Sequence, residues 1–234
     1  MVKIQSNFVI RTVTGSFFVL AILVSMQNFW SFSIVMSVMW ILMVVEYYKL
    51  LKKNGNSKQK RSVWWSFFAY FYIILPLVCL IYVYSINPWY ALALFSFVWV
   101  NDTFAYLVGI KFGKHKLFER ISPKKTWEGF FGGLVFAIIA GLAFSYFLPC
   151  GDALKTAGSC VMFNSTMLFK WVGMAVVVVV AGTFGDLFES YLKRSLNVKD
   201  SGTILPGHGG LLDRLDSILF AAPAAMIYLL LLGW

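Results

Sequence analysis

Seven apolar runs succeed one another along this chain, and they constrain its fold more than any other feature. Each run approaches the roughly 20 residues that a helix needs to cross the hydrocarbon core of a bilayer. Hydrophobic residues make up 60% of the chain and charged residues only 13%, whereas about 25% of a soluble domain is charged. The sequence therefore predicts an all-α polytopic membrane protein, a bundle of about seven transmembrane helices. The predicted spans are residues 8–26, 29–48, 63–84, 89–110, 130–148, 169–188 and 218–234.

The cations of the chain predict its orientation in the membrane. All but two of the 20 Lys and Arg residues lie in the N-terminal segment or in the polar stretches 49–61, 111–125 and 193–217. A chain that starts inside places all of these on one side, as the positive-inside rule prefers. We therefore expect the N-terminus and a polar cleft to face the cytoplasm of a bacterial-type inner membrane. The net charge of +10 follows from this topology and from contact with anionic lipid, so it gives no reason to expect a nucleic-acid partner.

No internal repeat, low-complexity tract or soluble domain interrupts this pattern, and we expect a single transmembrane domain over residues 1–234. Residues 1–90 hold the N-terminal spans, and residues 91–234 hold the motifs that can carry chemistry. The first apolar run is too long for the core of a signal peptide and leads straight into the second, so we expect a retained helix. Cys150 and Cys160 share the predicted outer loop, where they either form a disulfide or stay as free thiols.

Carboxylates gather around the polar stretch 193–217, which reads KRSLNVKDSGTILPGHGGLLDRLDS. In the preceding segment GDLFESYLKR, helical spacing places Asp186, Glu189 and Lys193 on one face, and Glu189 alternatively does no more than pair with Lys193 at i,i+4. In DRLDS, the i,i+3 spacing places Asp213 and Asp216 on one face. Such oxygen ligands suit hard cations, and Mg²⁺ typically binds one or two carboxylates together with substrate phosphates and waters.

The same stretch supplies groups that bind phosphate. An arginine can bind two phosphate oxygens at once, and lysine adds a flexible positive charge. The glycines of PGHGG allow the backbone to approach a ligand closely or to adopt a positive φ. Carboxylates for a metal, cations for phosphate and a bare backbone between them are typical of a site that handles a nucleotide. The cations in question are Lys193, Arg194, Lys199 and Arg214.

Two further motifs extend the candidate site. The loop ISPKKTWEG carries Lys124 and Lys125, which are well placed to hold a phosphate at the membrane surface or, alternatively, only to contact lipid headgroups. NDTFAY places Asn101 and Asp102 about halfway along an apolar span, where an ionised carboxylate is costly and usually functional. A structural pair that bridges two helices is the alternative for these residues. We interpret Glu128 as a helix-start residue that the helix dipole favours.

The segment SYLKRSLNVKDSGTILPGHGGLLDRLDS resembles the signature of the phosphatidate cytidylyltransferase family, in which Ser, Lys-Arg, Lys-Asp, His-Gly-Gly and Asp-Arg-x-Asp follow one another. SPKKTWEG, NDTFAY and GDLFES are also similar to that family. The resemblance covers about residues 101–217, whereas residues 1–90 match only as apolar helices. A composite signature of this length is far more specific than a single glycine motif.

The resemblance implies a nucleotidyltransferase of phospholipid biosynthesis, which forms CDP-diacylglycerol and pyrophosphate from CTP and phosphatidic acid of the inner leaflet. It also implies Mg²⁺ as cofactor, and it is compatible with a homodimer. His208 either donates a hydrogen bond to the pyrophosphate or the nucleotide, or only supports its loop. The candidate metal ligands are Asp186, Asp213 and Asp216; the candidate catalytic residues are Lys193, Arg194, Lys199, Asp200, His208 and Arg214; and the candidate substrate-binding residues are Asn101, Asp102, Ser122, Lys124, Lys125, Thr126, Ser190, Gly209 and Gly210.

Two other classes of function stay open at this point. A CTP-dependent enzyme could act on another lipid, such as an isoprenoid-ether analogue of phosphatidate or a polyprenol, but the signature favours a phosphorylated acceptor because an alcohol needs a base. A transporter or channel would line its pathway with Asp102 and Asp186. Transporters usually show internal repeats and broken helices around a midplane site, whereas the charge here gathers on one side of the membrane.

Overall fold

The computed structural model describes residues 2–53, 59–148, 165–198, 201–202, 204–205 and 209–233. Within these residues the chain forms seven α-helices and one short β-hairpin, so the predicted all-α class is confirmed. The helices are α1 (Val2–Ser25), α2 (Phe29–Lys53), α3 (Gln59–Ile86), α4 (Pro88–Phe112), α5 (Trp127–Phe147), α6 (Ser165–Ser195) and α7 (Leu212–Leu231).

A helix occupies each predicted apolar run, as expected for an integral membrane protein with several spans. In the part of the chain that the structure describes, α2, α4, α5, α6 and α7 are long and apolar enough to cross a membrane. The other two helices contain shorter apolar stretches, Thr12–Ser25 in α1 and Phe71–Ile86 in α3. Cys150 and Cys160, expected either to form a disulfide or to stay as free thiols, lie outside the described residues.

Helices α6 and α7 extend beyond the predicted spans at polar ends that carry candidate site residues. The sequence predicts span boundaries at residues 188 and 218, whereas α6 continues to Ser195 and α7 already begins at Leu212. The helix dipole favours both extensions, because Asp213 lies in the first turn of α7 and Lys193 in the last turn of α6. These candidate site residues are therefore held on helices rather than on loops.

A two-stranded antiparallel hairpin joins α4 to α5 and was not predicted. Its strands are β1 (Lys116–Phe118) and β2 (Ser122–Thr126), with Lys116 opposite Thr126 and Phe118 opposite Ser122. Strands of three and five residues that contain a proline and several lysines carry little of the alternating apolar pattern that identifies a strand in a sequence. The hairpin holds the SPKKT segment in a fixed position beside the helix bundle.

Small residues form the contact between α4 and α5. Gly129 and Gly133 lie four residues apart on the buried face of α5 and against α4, a spacing that lets two membrane helices approach closely. A Cβ on Gly133 would lie 2.4 Å from Oδ1 of Asn101. The absence of a side chain at this position therefore fixes how near Asn101 and Asp102 of α4 lie to α5.

Helix α7 lies at the centre of the bundle, where it contacts α2, α3, α4 and α6. Its apolar side chains Leu215, Ile218 and Leu219 are buried in the core. Because the polar residues of DRLDS alternate with these buried side chains along one helix, core packing determines which way the polar residues face.

We predict that Gly133→Ala destabilises the protein by about 1–3 kcal/mol, because the added methyl group overpacks the contact with Asn101. Gly182→Ala is the matched control, since its Cβ would meet nothing closer than Ser217 Cβ at 3.4 Å. Chemical unfolding of the detergent-solubilised variants measures both effects. Equal stability of the two variants would show that the α4–α5 contact is not set by Gly133.

Candidate active site

A polar cavity of about 330 Å³ lies between α4, the hairpin, α5, α6 and α7. It brings together side chains from three separate sequence motifs, NDTFAY, SPKKT and the segment from GDLFES to DRLDS. Four carboxylates and three cations line it, so it can hold both a metal ion and phosphate groups. These residues are Asp102, Asp186, Asp213, Asp216, Lys124, Lys125 and Arg214.

An ion pair connects the hairpin to α6. Lys125 Nζ lies 2.5 Å from Asp186 Oδ2, and each side chain is about a quarter exposed. Ser190, one turn further along α6, donates a hydrogen bond of 3.3 Å to Asp186 Oδ1. Lys125 and Asp186 both line the cavity, so an incoming phosphate can compete with Asp186 for Lys125.

Asp186 and Asp216 are brought together by a glycine contact between α6 and α7. A Cβ on Gly185 would lie 2.6 Å from the backbone oxygen of Asp216, so the two helices touch at this point. Asp186 follows Gly185 directly in the sequence, and both carboxylates line the cavity. These two candidate metal ligands therefore lie in the same cavity, as the sequence predicts.

Lys193 occupies the space between two carboxylates. Its Nζ lies 2.7 Å from Asp213 Oδ1 and also pairs with Glu189, whose side chain is fully buried. The predicted i,i+4 pair between Glu189 and Lys193 is thus confirmed. Lys193 itself is 14% exposed and does not line the polar cavity. The arrangement gives Lys193 the function of neutralising two carboxylates, and its predicted contact with substrate phosphate stays a prediction.

Asp213 holds the segment that precedes α7. Besides Lys193, its carboxylate accepts hydrogen bonds from the backbone N–H groups of Ser201, at 3.0 Å, and Gly210, at 3.0 Å. Gly209 has a φ of +84°, which requires glycine in practice. The predicted substrate-binding residues Gly209 and Gly210 therefore build the turn around Asp213. Their contact with a substrate stays a prediction.

The NDTFAY residues differ from one another in their surroundings. Asn101 is buried in the α4–α5 contact and donates a weak hydrogen bond of 3.3 Å to Asp102 Oδ1. Asp102 lines the cavity beside Asp186 and Asp216. Asn101 also lines the cavity, so it fits both the structural alternative and the site, and Asp102 fits the site.

Several hairpin residues have structural partners. Thr126 is buried and caps α5, because its Oγ1 accepts a 3.1 Å hydrogen bond from the N–H of Gly129. Glu128 lies in the first turn of α5, as predicted, and accepts hydrogen bonds from Nδ1 and the backbone N–H of His115. Ser122 begins β2 and does not line the polar cavity. The two lysines of SPKKT line it, and so does Thr126 beside its capping role.

Some candidate residues fall outside this geometry. Arg194 is exposed at the end of α6 and does not line the cavity. Lys199, Asp200 and His208 lie outside the described residues. Glu46 of α2 was not predicted as a site residue; it is 2% exposed and accepts a 3.0 Å hydrogen bond from the N–H of Leu212. Its signal was a carboxylate within an apolar run.

The cavity fits a magnesium ion that binds together with phosphate. Asp102, Asp186 and Asp216 line it and offer oxygen ligands, and Mg²⁺ usually completes its shell with substrate phosphates and water. Among the described residues, no group of three or more His, Cys, Asp or Glu side chains is already arranged to hold a metal ion. Ligation by Asp186, Asp213 and Asp216 therefore stays a prediction.

Comparison with known proteins identifies the family to which the chain is similar. The sequence model of the cytidylyltransferase family matches residues 1–232. A phosphatidate cytidylyltransferase of Staphylococcus aureus (strain COL) is 46% identical over 143 residues, which are 60% of this chain and 49% of the relative. A phosphatidate cytidylyltransferase of Thermotoga maritima is 44% identical over 137 residues, which are 58% of this chain and 47% of the relative.

A third relative, the phosphatidate cytidylyltransferase of Aquifex aeolicus, is 40% identical over 158 residues, which are 68% of this chain and 54% of the relative. The chain thus spans about half the length of the curated relatives that it matches. The family resemblance inferred from the motifs is confirmed.

We predict that Lys193→Met lowers the free energy of unfolding by about 3–5 kcal/mol, because it leaves two buried carboxylates without their cation. Arg194→Met, at the exposed neighbouring position, is the matched control and should leave stability unchanged. Adding Glu189→Gln to Lys193→Met should restore part of the loss. Chemical unfolding in detergent measures all three, and equal stability of the two single variants would contradict the buried ion-pair assignment.

Proposed function

The chain belongs to the cytidylyltransferase family, and from this premise we propose that it is a phosphatidate cytidylyltransferase. It transfers CMP from CTP to phosphatidic acid and releases pyrophosphate. The observation that carries the proposal is one polar cavity that Lys124, Lys125 and Arg214 line together with Asp186 and Asp216. Cations alone would suit any anionic ligand, whereas cations beside several carboxylates suit phosphates that arrive with a divalent metal.

The chemistry of phosphatidate suits a site without a general base. A phosphate monoester has a second pKa of about 6, so it is largely a dianion at neutral pH. One of its oxygens attacks the α-phosphorus of CTP, the bond from that phosphorus to the bridging oxygen of the β-phosphate breaks, and pyrophosphate leaves. No proton has to be removed from the acceptor, and the carboxylates of the cavity are free for metal binding.

The cations of the cavity overcome repulsion between the two substrates. Phosphatidate and CTP both carry several negative charges, and Lys124, Lys125 and Arg214 neutralise part of that charge where the reacting phosphates meet. In the structure Lys125 pairs with Asp186. A phosphate in the cavity would compete with Asp186 for Lys125, and Asp186 could then serve as a metal ligand.

Magnesium, when bound, would neutralise the phosphate oxygens and stabilise the leaving pyrophosphate. Asp186 and Asp216 would hold it, and Asp102 lines the same cavity. Asp213 accepts hydrogen bonds from the N–H groups of Ser201 and Gly210 and so fixes the backbone that leads into α7.

A lipid acceptor requires access from the bilayer. An apolar cavity of about 820 Å³ shares the hairpin, α6 and α7 with the polar one, and Phe118 and Ile121 of the hairpin line it. Leu117, Lys124 and Lys125 of the same hairpin face the polar cavity. We therefore place the phosphatidate headgroup in the polar cavity and its acyl chains on the apolar side. The enzyme takes phosphatidic acid from the inner leaflet, with the N-terminus and the cavity facing the cytoplasm, and a homodimer is compatible with its apolar outer faces.

Pyrophosphate release by the purified full chain tests the proposed activity. CTP, phosphatidate and Mg²⁺ are each present or omitted, and release should require all three. Release that needs CTP and Mg²⁺ but occurs only with a different phosphorylated lipid would replace the acceptor. Folded protein that neither binds CTP nor releases pyrophosphate would contradict the proposal and favour the transporter alternative.

We predict that Asp186→Asn and Asp216→Asn each lower kcat by at least about a hundredfold and raise the Mg²⁺ concentration needed for half-maximal rate. Glu119→Gln, an exposed carboxylate of the hairpin turn outside the cavity, is the matched control and should behave like the wild type. Near-normal turnover of Asp186→Asn or Asp216→Asn with an unchanged Mg²⁺ requirement would remove that residue from the metal site.

A further inference from the structure

Glu46 is a buried carboxylate that the proposed chemistry does not use. It lies in the apolar span Phe29–Leu50 of α2, and its side chain is 2% exposed. A carboxylate inside a membrane bundle is costly unless it is paired or hydrogen-bonded. Its presence there therefore requires a specific partner.

The partner is the start of α7. Glu46 Oε2 accepts a 3.0 Å hydrogen bond from the N–H of Leu212, the first residue of α7. The residue at the N-cap position, Leu211, makes no side-chain capping hydrogen bond. Because the first N–H groups of a helix have no partner within the helix, Glu46 supplies from α2 the acceptor that Leu211 lacks.

The turn before α7 is shaped to admit the Glu46 side chain. A Cβ on Gly202 would lie 2.2 Å from Glu46 Oε1, and one on Gly210 would lie 2.9 Å from Oε2. Gly202 therefore has to lack a side chain for the carboxylate to lie there, and Gly210 is further constrained because its Cβ would also lie 1.8 Å from Oγ of Ser201. Gly202, Gly210 and the N–H of Leu212 thus all lie next to the Glu46 carboxylate.

The same turn is held by Asp213 through the N–H groups of Ser201 and Gly210. Glu46 and Asp213 thus bind one short segment through different N–H groups. The helix that begins at Leu212 carries Asp213, Arg214 and Asp216 in its first turns. A shift of this helix start would move all three relative to Lys125 and Asp186 on the neighbouring elements.

We infer that Glu46 is a positioning residue for the active site, which sets the place of the α7 start by accepting the Leu212 N–H. It acts through its reach and its acceptor oxygen rather than through its charge. The inference deepens the proposed function and, for its kinetic consequence, rests on it.

The test compares Glu46→Gln, Glu46→Asp and Met43→Ala in the full-length protein. Glutamine keeps the length and one acceptor oxygen, whereas aspartate keeps the charge but is one methylene too short to reach Leu212. Met43 is fully buried one turn earlier on α2, so its truncation controls for a packing defect in the same helix. Glu46→Gln thus changes only the charge of the side chain, and Glu46→Asp changes only its length.

Hydrogen–deuterium exchange of peptides that contain residues 209–213 is read first, because it needs no catalytic activity. Glu46→Asp should speed exchange there by about tenfold, since the Leu212 N–H loses its buried acceptor, while Glu46→Gln and Met43→Ala should stay near the wild type. Unchanged exchange in Glu46→Asp would overturn the inference whatever the reaction proves to be.

Steady-state kinetics with CTP and phosphatidate give the second readout. Glu46→Asp should lose about tenfold or more in kcat, with a smaller rise in KM, because Asp213, Arg214 and Asp216 are displaced while Lys124 and Lys125 of the hairpin still bind the phosphates. Glu46→Gln should retain most of kcat. An active Glu46→Asp with an inactive Glu46→Gln would mean that the charge matters, and the positioning role would be wrong. Failure of the wild type to turn over would count against the proposed function alone, with the exchange result still deciding the role of Glu46.

Discussion

Lys193 joins α6 to α7 through two carboxylates, and the arrangement of the cleft depends on that junction. Glu189 is fully buried and Asp213 nearly so, and neither carboxylate could stay charged inside the bundle without a cation at hydrogen-bonding distance. Lys193 forms an ion pair with each of them. Asp213 also accepts hydrogen bonds from the backbone N–H groups of Ser201 and Gly210. One lysine thereby connects the end of α6, the turn and the start of α7 in a single polar network.

Glycines bring the other parts of the site into contact with this network. Gly185 lets α6 touch α7 beside Asp216, and Gly133 lets α5 touch α4 beside Asn101. The hairpin then closes the cavity from the cytoplasmic side predicted for it, where Lys125 pairs with Asp186. Close backbone contacts of this kind leave little freedom for the polar groups between them, which suits a site that must hold phosphates in a fixed geometry.

The sequence was sufficient for the class of fold because span length and apolar composition are local properties. It was also sufficient to place Asp186, Asp216, Lys125 and Arg214 in one site, since the motif and helical spacing together identify them. It could not predict that Lys193 binds Asp213 twenty residues away, because that contact depends on how α6 and α7 pack.

Other features needed the tertiary structure for the same reason. Thr126 is predicted to bind substrate, and it lines the polar cavity, but its Oγ1 also caps α5; a threonine suits either role, so the sequence does not reveal the cap. Glu46 is separated by 166 residues from the N–H that it accepts, and no local pattern connects the two. The short hairpin escaped prediction because its strands are charged and only a few residues long.

In the proposed mechanism, the polar cavity between the hairpin, α6 and α7 binds the triphosphate of CTP. A cryo-electron microscopy reconstruction of the full chain with CTP and Mg²⁺, in the absence of lipid acceptor, would locate the triphosphate. We expect its density in contact with Lys124, Lys125 or Arg214, with Lys193 still between Glu189 and Asp213. Triphosphate density outside this cavity, or a Lys193 that has left both carboxylates to bind it, would show that this cavity is not the nucleotide site described above.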